Sequence, residues 1–192
     1  MLALRTPPEA SPAQRWRRAT GVTLTELMVA LAILAVLLAA AAPDFRATLR
    51  QLQVAAAADD FHAALLLART EAIRRGARVD VVPSRDADWS SGWIVLVDAD
   101  GDGSVGPGDD VILRHDEVPA GIRITAKLSD DSRPYVAFGP SGRTRTHASG
   151  SAPQFGTWTF SLDDEPRRRI RIGFLGRPRL CVPGRDPACA SA

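Results

Sequence analysis

Residues 21–43 read Gly-Val-Thr-Leu-Thr-Glu-Leu-Met-Val-Ala-Leu-Ala-Ile-Leu-Ala-Val-Leu-Leu-Ala-Ala-Ala-Ala-Pro. Leu27 to Ala42 is a run of sixteen apolar residues, and from Val22 the stretch has 21. As a helix rising 1.5 Å per residue it is roughly 31 Å long, the thickness of a bilayer core. Arg5, Arg15, Arg17 and Arg18 precede it against one acid, Glu9. That cluster predicts an N-terminus held in the cytoplasm and an exported C-terminal body. A cleavable secretory signal is the plain alternative, with the small residues 39–42 as its cleavage site. The long leader, the polar Gly-Val-Thr-Leu-Thr-Glu patch and Glu26 inside the span count against it. A carboxylate near one membrane face is costly unless paired, so Glu26 is a functional residue by default. Snorkelling to the headgroups is its plainer reading.

The whole chain has 192 residues, 45% hydrophobic and 24% charged, which suggests one domain and is too apolar for a disordered chain. The net charge of +2 is unevenly placed: without residues 1–21 there remain 20 basic and 21 acidic residues. Global charge therefore says nothing about partners, although local charge does. There is no G-x-S-x-G, no G-x-x-x-x-G-K-[ST] and no H-E-x-x-H, and His62, His115 and His147 are scattered. The chain does not read as an enzyme.

Gly21 to Leu27, followed by a long apolar helix, resembles the class III signal of type IV pilins and type II secretion pseudopilins. The resemblance implies that a prepilin peptidase cuts between Gly21 and Val22 on the cytoplasmic side and N-methylates Val22, where the family usually has Phe or Met. Glu26 then becomes the fifth mature residue and Pro43 the twenty-second, positions at which pilins carry those residues. The implied organisation is a leader over 1–21, a transmembrane and assembly helix over 22–43, and a periplasmic globular domain over 44–192. Such a protein crosses the inner membrane once and joins other pilins or pseudopilins in a fibre. The freed Val22 amine is expected to pair with Glu26 of a neighbouring subunit, offsetting the cost of burying either charge. Pro43 lacks an N–H and is expected to kink or loosen the helix.

Beyond Pro43, Phe45, Leu49, Leu52 and Ala56 are spaced 4, 3, 4, and Phe61, Leu65, Ala68 and Ala72 repeat that spacing. This predicts an amphipathic helix over about 44–75, C-capped by Gly76, with its apolar face on a sheet. Short Val-, Ile- and aromatic-rich runs predict strands near 78–82, 93–97, 111–114, 122–128, 135–138, 157–162, 169–174 and 179–182. Pro119–Gly121, Gly139–Gly142 and Asp163–Pro166 carry turn signals. The fold class is α+β: a long N-terminal helix packed on antiparallel sheets. Leu67–Gly76, Gly92–Asp98 running into Asp100–Gly103, Phe138–Gly142 and Gly176–Arg179 are similar to the GspH/FimT group of minor pilins and pseudopilins.

Three features are candidate sites. Asp98, Asp100 and Asp102 with Gly103 match the start of a calcium loop, D-x-D-x-D-G; a turn-rich hairpin loop explains the same residues. Cys181 and Cys189, with Pro183, Gly184 and Pro187 between them, are expected to join in an oxidising periplasm; free thiols are the alternative.

Charge is the third. Residues 86–131 hold 11 acids and 3 bases, and residues 166–192 hold seven arginines and one acid, Asp186. Arginine binds phosphate through two parallel hydrogen bonds without reading sequence. Gly176-Arg177-Pro178-Arg179 resembles the G-R-x-R motif of FimT-like minor pilins that take part in DNA capture during transformation. That resemblance implies Arg177 and Arg179 as phosphate contacts on one face of a strand. No aromatic interleaving is credited to these arginines, so double-stranded DNA is expected rather than a stacked single strand. The plain reading is a solvated basic face, or arginines paired with the acidic half or a neighbour. The expectation is therefore a FimT-like minor pilin, with a type II secretion minor pseudopilin as the alternative.

Overall fold

The computed structural model describes residues 21–99, 103, 105–146 and 152–189, the side chains of 39–44 and 188 excepted. Residues 1–20 of the leader lie outside them, as do Asp100 and Asp102. Helix α1 runs from Leu24 to Arg75. Thr23 begins it: its Oγ1 accepts a hydrogen bond from the Glu26 N–H at 3.2 Å and its carbonyl one from the Leu27 N–H at 3.1 Å. Thr at the N-cap with Glu three residues on is the capping-box pattern. The Thr-Leu-Thr-Glu segment thus starts the helix, and the Glu26 charge also suits its positive end.

The chain divides into two compact units, 1–43 and 44–192. In the first, the described side chains from Val22 to Leu38 are all exposed. Among the described residues no helical stretch is long and apolar enough to cross a membrane; in the sequence, the run continues into 39–42.

In the second unit, α1 buries Val54, Ala57, Ala58, Phe61, Ala64, Leu65, Ala68 and Ala72. The stripe Phe61, Leu65, Ala68, Ala72 faces the sheets as its spacing predicts. The stripe Phe45, Leu49, Leu52, Ala56 does not: Phe45 and Leu52 are 65% and 60% exposed, and Leu49 and Ala56 are exposed as well. At about 100° per residue Leu52 lies half a turn away from Phe61, so equal spacing put the two stripes on opposite faces. The inward stripe is instead continued by Val54, two turns before Phe61. Gly76, with φ of +63°, ends the helix as expected.

Nine strands follow among the described residues: β1 Val79–Arg85, β2 Asp88–Val97, β3 Asp110–His115, β4 Ile122–Leu128, β5 Val136–Phe138, β6 Thr144–Arg145, β7 Gly156–Leu162, β8 Glu165–Ile172 and β9 Pro178–Cys181. They form two antiparallel sheets, ordered β3-β2-β1-β5-β6 and β4-β7-β8-β9. The two-residue β6 carries too little pattern to be visible in the sequence. The turn placed at Asp163–Pro166 is only Asp163-Asp164, both left-handed at φ of +52° and +64°. Such a two-residue turn matches the twist of paired strands, so Glu165 and Pro166 belong to β8.

Phe61 joins the layers. Its ring meets Trp93 (4.9 Å between centroids) and Trp89 (5.4 Å) from β2, and Trp158 (5.3 Å) and Phe160 (5.9 Å) from β7. One helical residue thus contacts both sheets. On the outer face of the first sheet a second cluster buries Val82, Ile94, Leu96, Tyr135 and Ala137. There the fully buried Asp80 accepts two 2.7 Å bonds from Arg78, which lies 5.6 Å from the Tyr135 ring. Burial, with the phenol donating to Asp130, pushes the Tyr135 pKa upward.

Candidate nucleic-acid interface

Between the bulge at Phe160/Ser161 and the turn into β9 the second sheet alternates. Trp158, Phe160, Ile170, Ile172 and Pro178 face the core, so their neighbours face outward. Register then sets the outer face: Lys127 lies opposite Thr157, Thr157 opposite Arg171, and Arg171 opposite Arg179. Three cations and a hydroxyl thereby form one row across all four strands. Like charges directly opposed weaken a strand pair, so Arg171 against Arg179 is a local cost that presents positive charge. Arg177 precedes β9 by one residue. It and Arg179 are exposed on either side of the buried Pro178, so both stand outward as the motif implied.

The turn from β8 to β9 is held at Gly176. Its φ is +71°, and a Cβ there would lie 2.4 Å from the Gly142 carbonyl oxygen. Its N–H donates to the Gly173 carbonyl at 2.8 Å. The Phe138–Gly142 and Gly176–Arg179 segments, 34 positions apart from glycine to glycine, therefore pack backbone to backbone. From α1, the His62 Nε2–H donates to the Pro178 carbonyl at 3.3 Å, fixing the start of β9. A cleft of about 800 Å³ runs along this edge, lined among others by His62, Arg171, Phe174, Arg177, Arg179 and Asp186.

Cys181 and Cys189 are joined, with Cα atoms 5.8 Å apart. The Arg169 Nη1–H donates to the Cys189 carbonyl at 3.1 Å, so the tail lies against the last two strands. Of the acidic half, Asp110 pairs with Arg75 and Glu117 with Arg85. Among the described residues, Arg167, Arg168, Arg169, Arg177, Arg179 and Arg185 form no ion pair with a carboxylate. In the Asp-rich loop, Asp98 accepts from the Gly103 N–H at 2.7 Å, and Asp109 from the Ala99 and Gly106 N–H groups at 2.9 and 2.7 Å. No group of three metal-ligating side chains occurs among the described residues.

The family model described as type II transport protein GspH matches residues 57–176, well over half of the chain. The chain belongs to the GspH family. A prokaryotic N-terminal methylation motif matches residues 16–42 of this GspH-family protein, where its sequence resembles a pilin signal. No curated protein matches it significantly in sequence. Among solved structures it is similar to the type IV minor pilin FimU of Pseudomonas aeruginosa: 22% identity over 67% of this chain and 87% of that one, with a TM-score of 0.53. It is also similar to the minor pseudopilin EpsH of the Vibrio cholerae type II secretion system: 19% identity over 71% and 98%, with a TM-score of 0.52. At such identities the likeness shows the fold: a pilin-like helix on antiparallel sheets. GspH-family proteins are pilin-type subunits, not enzymes, and this one is a minor pilin or pseudopilin that assembles with other pilin-type subunits from a membrane anchor.

Two residues of this face stand outside the motifs of the sequence. Lys127 is 44 positions before Arg171, and only strand register brings them into one row. Phe174 stands between Arg171 and Arg177 in the chain and, contrary to the expectation of no aromatic partner, lines the same cleft. The Ile-Arg-Ile-Gly-Phe-Leu-Gly-Arg run was its available signal.

Proposed function

We propose that this GspH-family subunit is a minor pilin of a type IV pilus that holds DNA on the outer face of its second sheet. Prepilin peptidase removes the leader after Gly21 and methylates Val22; residues 22–43 then anchor the chain once in the inner membrane, with the globular domain in the periplasm. In the fibre, Glu26 pairs with a neighbour's N-terminal amine and Pro43 eases the helix among its partners. The observation that carries the DNA reading is the row Lys127–Arg171–Arg179, extended by the exposed Arg177, on one outer sheet face. Guanidinium pairs neutralise phosphates in any sequence, and the Thr157 hydroxyl adds a neutral donor. The second reading, a type II secretion minor pseudopilin, draws on the GspH family description and the likeness to EpsH; the same face would then meet an acidic protein partner.

Fluorescence anisotropy of the full-length protein in detergent, against duplex DNA at several salt concentrations, tests this. Binding is expected to weaken linearly in log salt. Arg177→Gln with Arg179→Gln is expected to lower that slope by about 1.8, or about 0.9 for each phosphate that an arginine no longer neutralises. No binding at low salt would transfer the assignment to the secretion reading.

A further inference from the structure

We propose that the cleft beside this row binds single-stranded DNA in preference to duplex, with Phe174 as the platform on which a base stacks; this rests on the nucleic-acid reading above. Phe174 is 62% exposed and Leu175 49%, in the turn between β8 and β9. A large aromatic left in water on a short connection forgoes the burial that Phe61 and Phe160 obtain in the core. The turn itself is not loose: Gly176 closes it by its bond to Gly173 and by its close approach to Gly142. The ring therefore stands on a fixed support, with Arg171, Arg177 and Arg179 lining the same cleft. Arginines to track a backbone and an aromatic face to take a base are the two components of a single-strand site. At about 800 Å³ the cleft is within the range of pockets that enclose a small ligand, so a nucleotide unit fits.

A duplex cannot use the ring, because its bases are stacked inside and offer only their edges in the grooves. Duplex binding would then depend on the arginines alone, whereas a single strand gains the stack as well. Asp186 is the one carboxylate in the lining among the described residues, and its repulsion acts on both forms through the phosphates, so it does not separate them. A lipid surface is the less favoured occupant: two apolar residues on one turn give little area to bury, whereas interfacial anchoring needs a whole apolar helix face.

The test measures full-length protein in detergent against a fluorescent oligothymidylate and against a duplex of the same length, at one salt concentration. The unmodified protein is expected to bind the single strand more tightly. Phe174→Ala is expected to weaken single-strand binding about 5- to 150-fold, the worth of one stacked base, and leave duplex binding within about twofold. Phe174→Trp restores the preference, and thermal unfolding shows that both variants are folded. Equal loss on both DNA forms, or no loss on either, overturns the stacking proposal while the duplex reading stands. Failure to bind either form overturns both. Loss of Phe174→Ala binding to phosphatidylglycerol vesicles, with DNA binding unchanged, overturns the stacking proposal by making the ring a membrane contact, while the duplex reading stands.

Discussion

Replacing Gly176 with alanine tests how the arginine turn is held. Gly176 has φ of +71°, a region where an L-residue costs about 1–2 kcal/mol. The added Cβ would also stand 2.4 Å from the Gly142 carbonyl oxygen and 3.1 Å from the Arg143 Cα and the Thr144 nitrogen. Those are backbone atoms of the opposing turn, so relief requires the turns to separate. That turn is itself pressed on α1, since a Cβ on Gly142 would lie 2.7 Å from Ile73 Cδ1. Allowing about 1–2 kcal/mol for the overpacking, Gly176→Ala is expected to destabilise the domain by about 2–4 kcal/mol. For a domain of this size the melting temperature falls about 4–16 °C. Gly173→Ala is the control: its Cβ meets nothing within 4 Å and its φ is not left-handed, so a change within about 0.5 kcal/mol is expected. Thermal unfolding of the full-length proteins in one detergent compares them. A Gly176→Ala melting temperature equal to that of Gly173→Ala would refute the reasoning, because the two turns would then not be in close contact.

Two further outcomes follow from the packing and the charges. Phe61→Ala removes the ring that touches Trp89, Trp93, Trp158 and Phe160; chemical denaturation is expected to show a loss of about 3–5 kcal/mol, and a loss below about 1 kcal/mol would mean that the sheets close without it. Glu71 accepts hydrogen bonds from Arg74 and Arg75, which hold its carboxyl below the ordinary value of 4.5, at about 2. A carboxyl depressed in the folded state stabilises above its unfolded value, and that contribution is lost as pH falls from about 4.5 toward 2. The difference in melting temperature between the parent and Glu71→Gln should therefore shrink across that window; a difference constant from pH 6 to pH 2 would contradict it.

Local signals determined a good deal. The apolar run from Leu27, the 3–4 spacing from Phe61 to Ala72 and the Gly76 stop are short-range features that a helix expresses wherever it packs. The strand runs were legible for the same reason, since alternation such as Ile170-Arg171-Ile172 needs only one buried face. The GspH/FimT resemblance was carried by contiguous motifs and needed no tertiary information. Which of two equally spaced stripes turns inward was not legible, because spacing defines a face and not its partner. Phe45, Leu49 and Leu52 ended outside and Val54 inside for that reason.

The site divides in the same way. The sequence alone determined the basic tail, the Gly-Arg-Pro-Arg segment and the two cysteines, all of them local in the chain. Only the tertiary structure decided that Lys127 joins Arg171 and Arg179 in one row, that Gly176 rests on Gly142, and that Phe174 shares the arginines' cleft. Strand register and turn packing are set by which side chains the helix and both sheets bury together around Phe61, and that selection has no local signature.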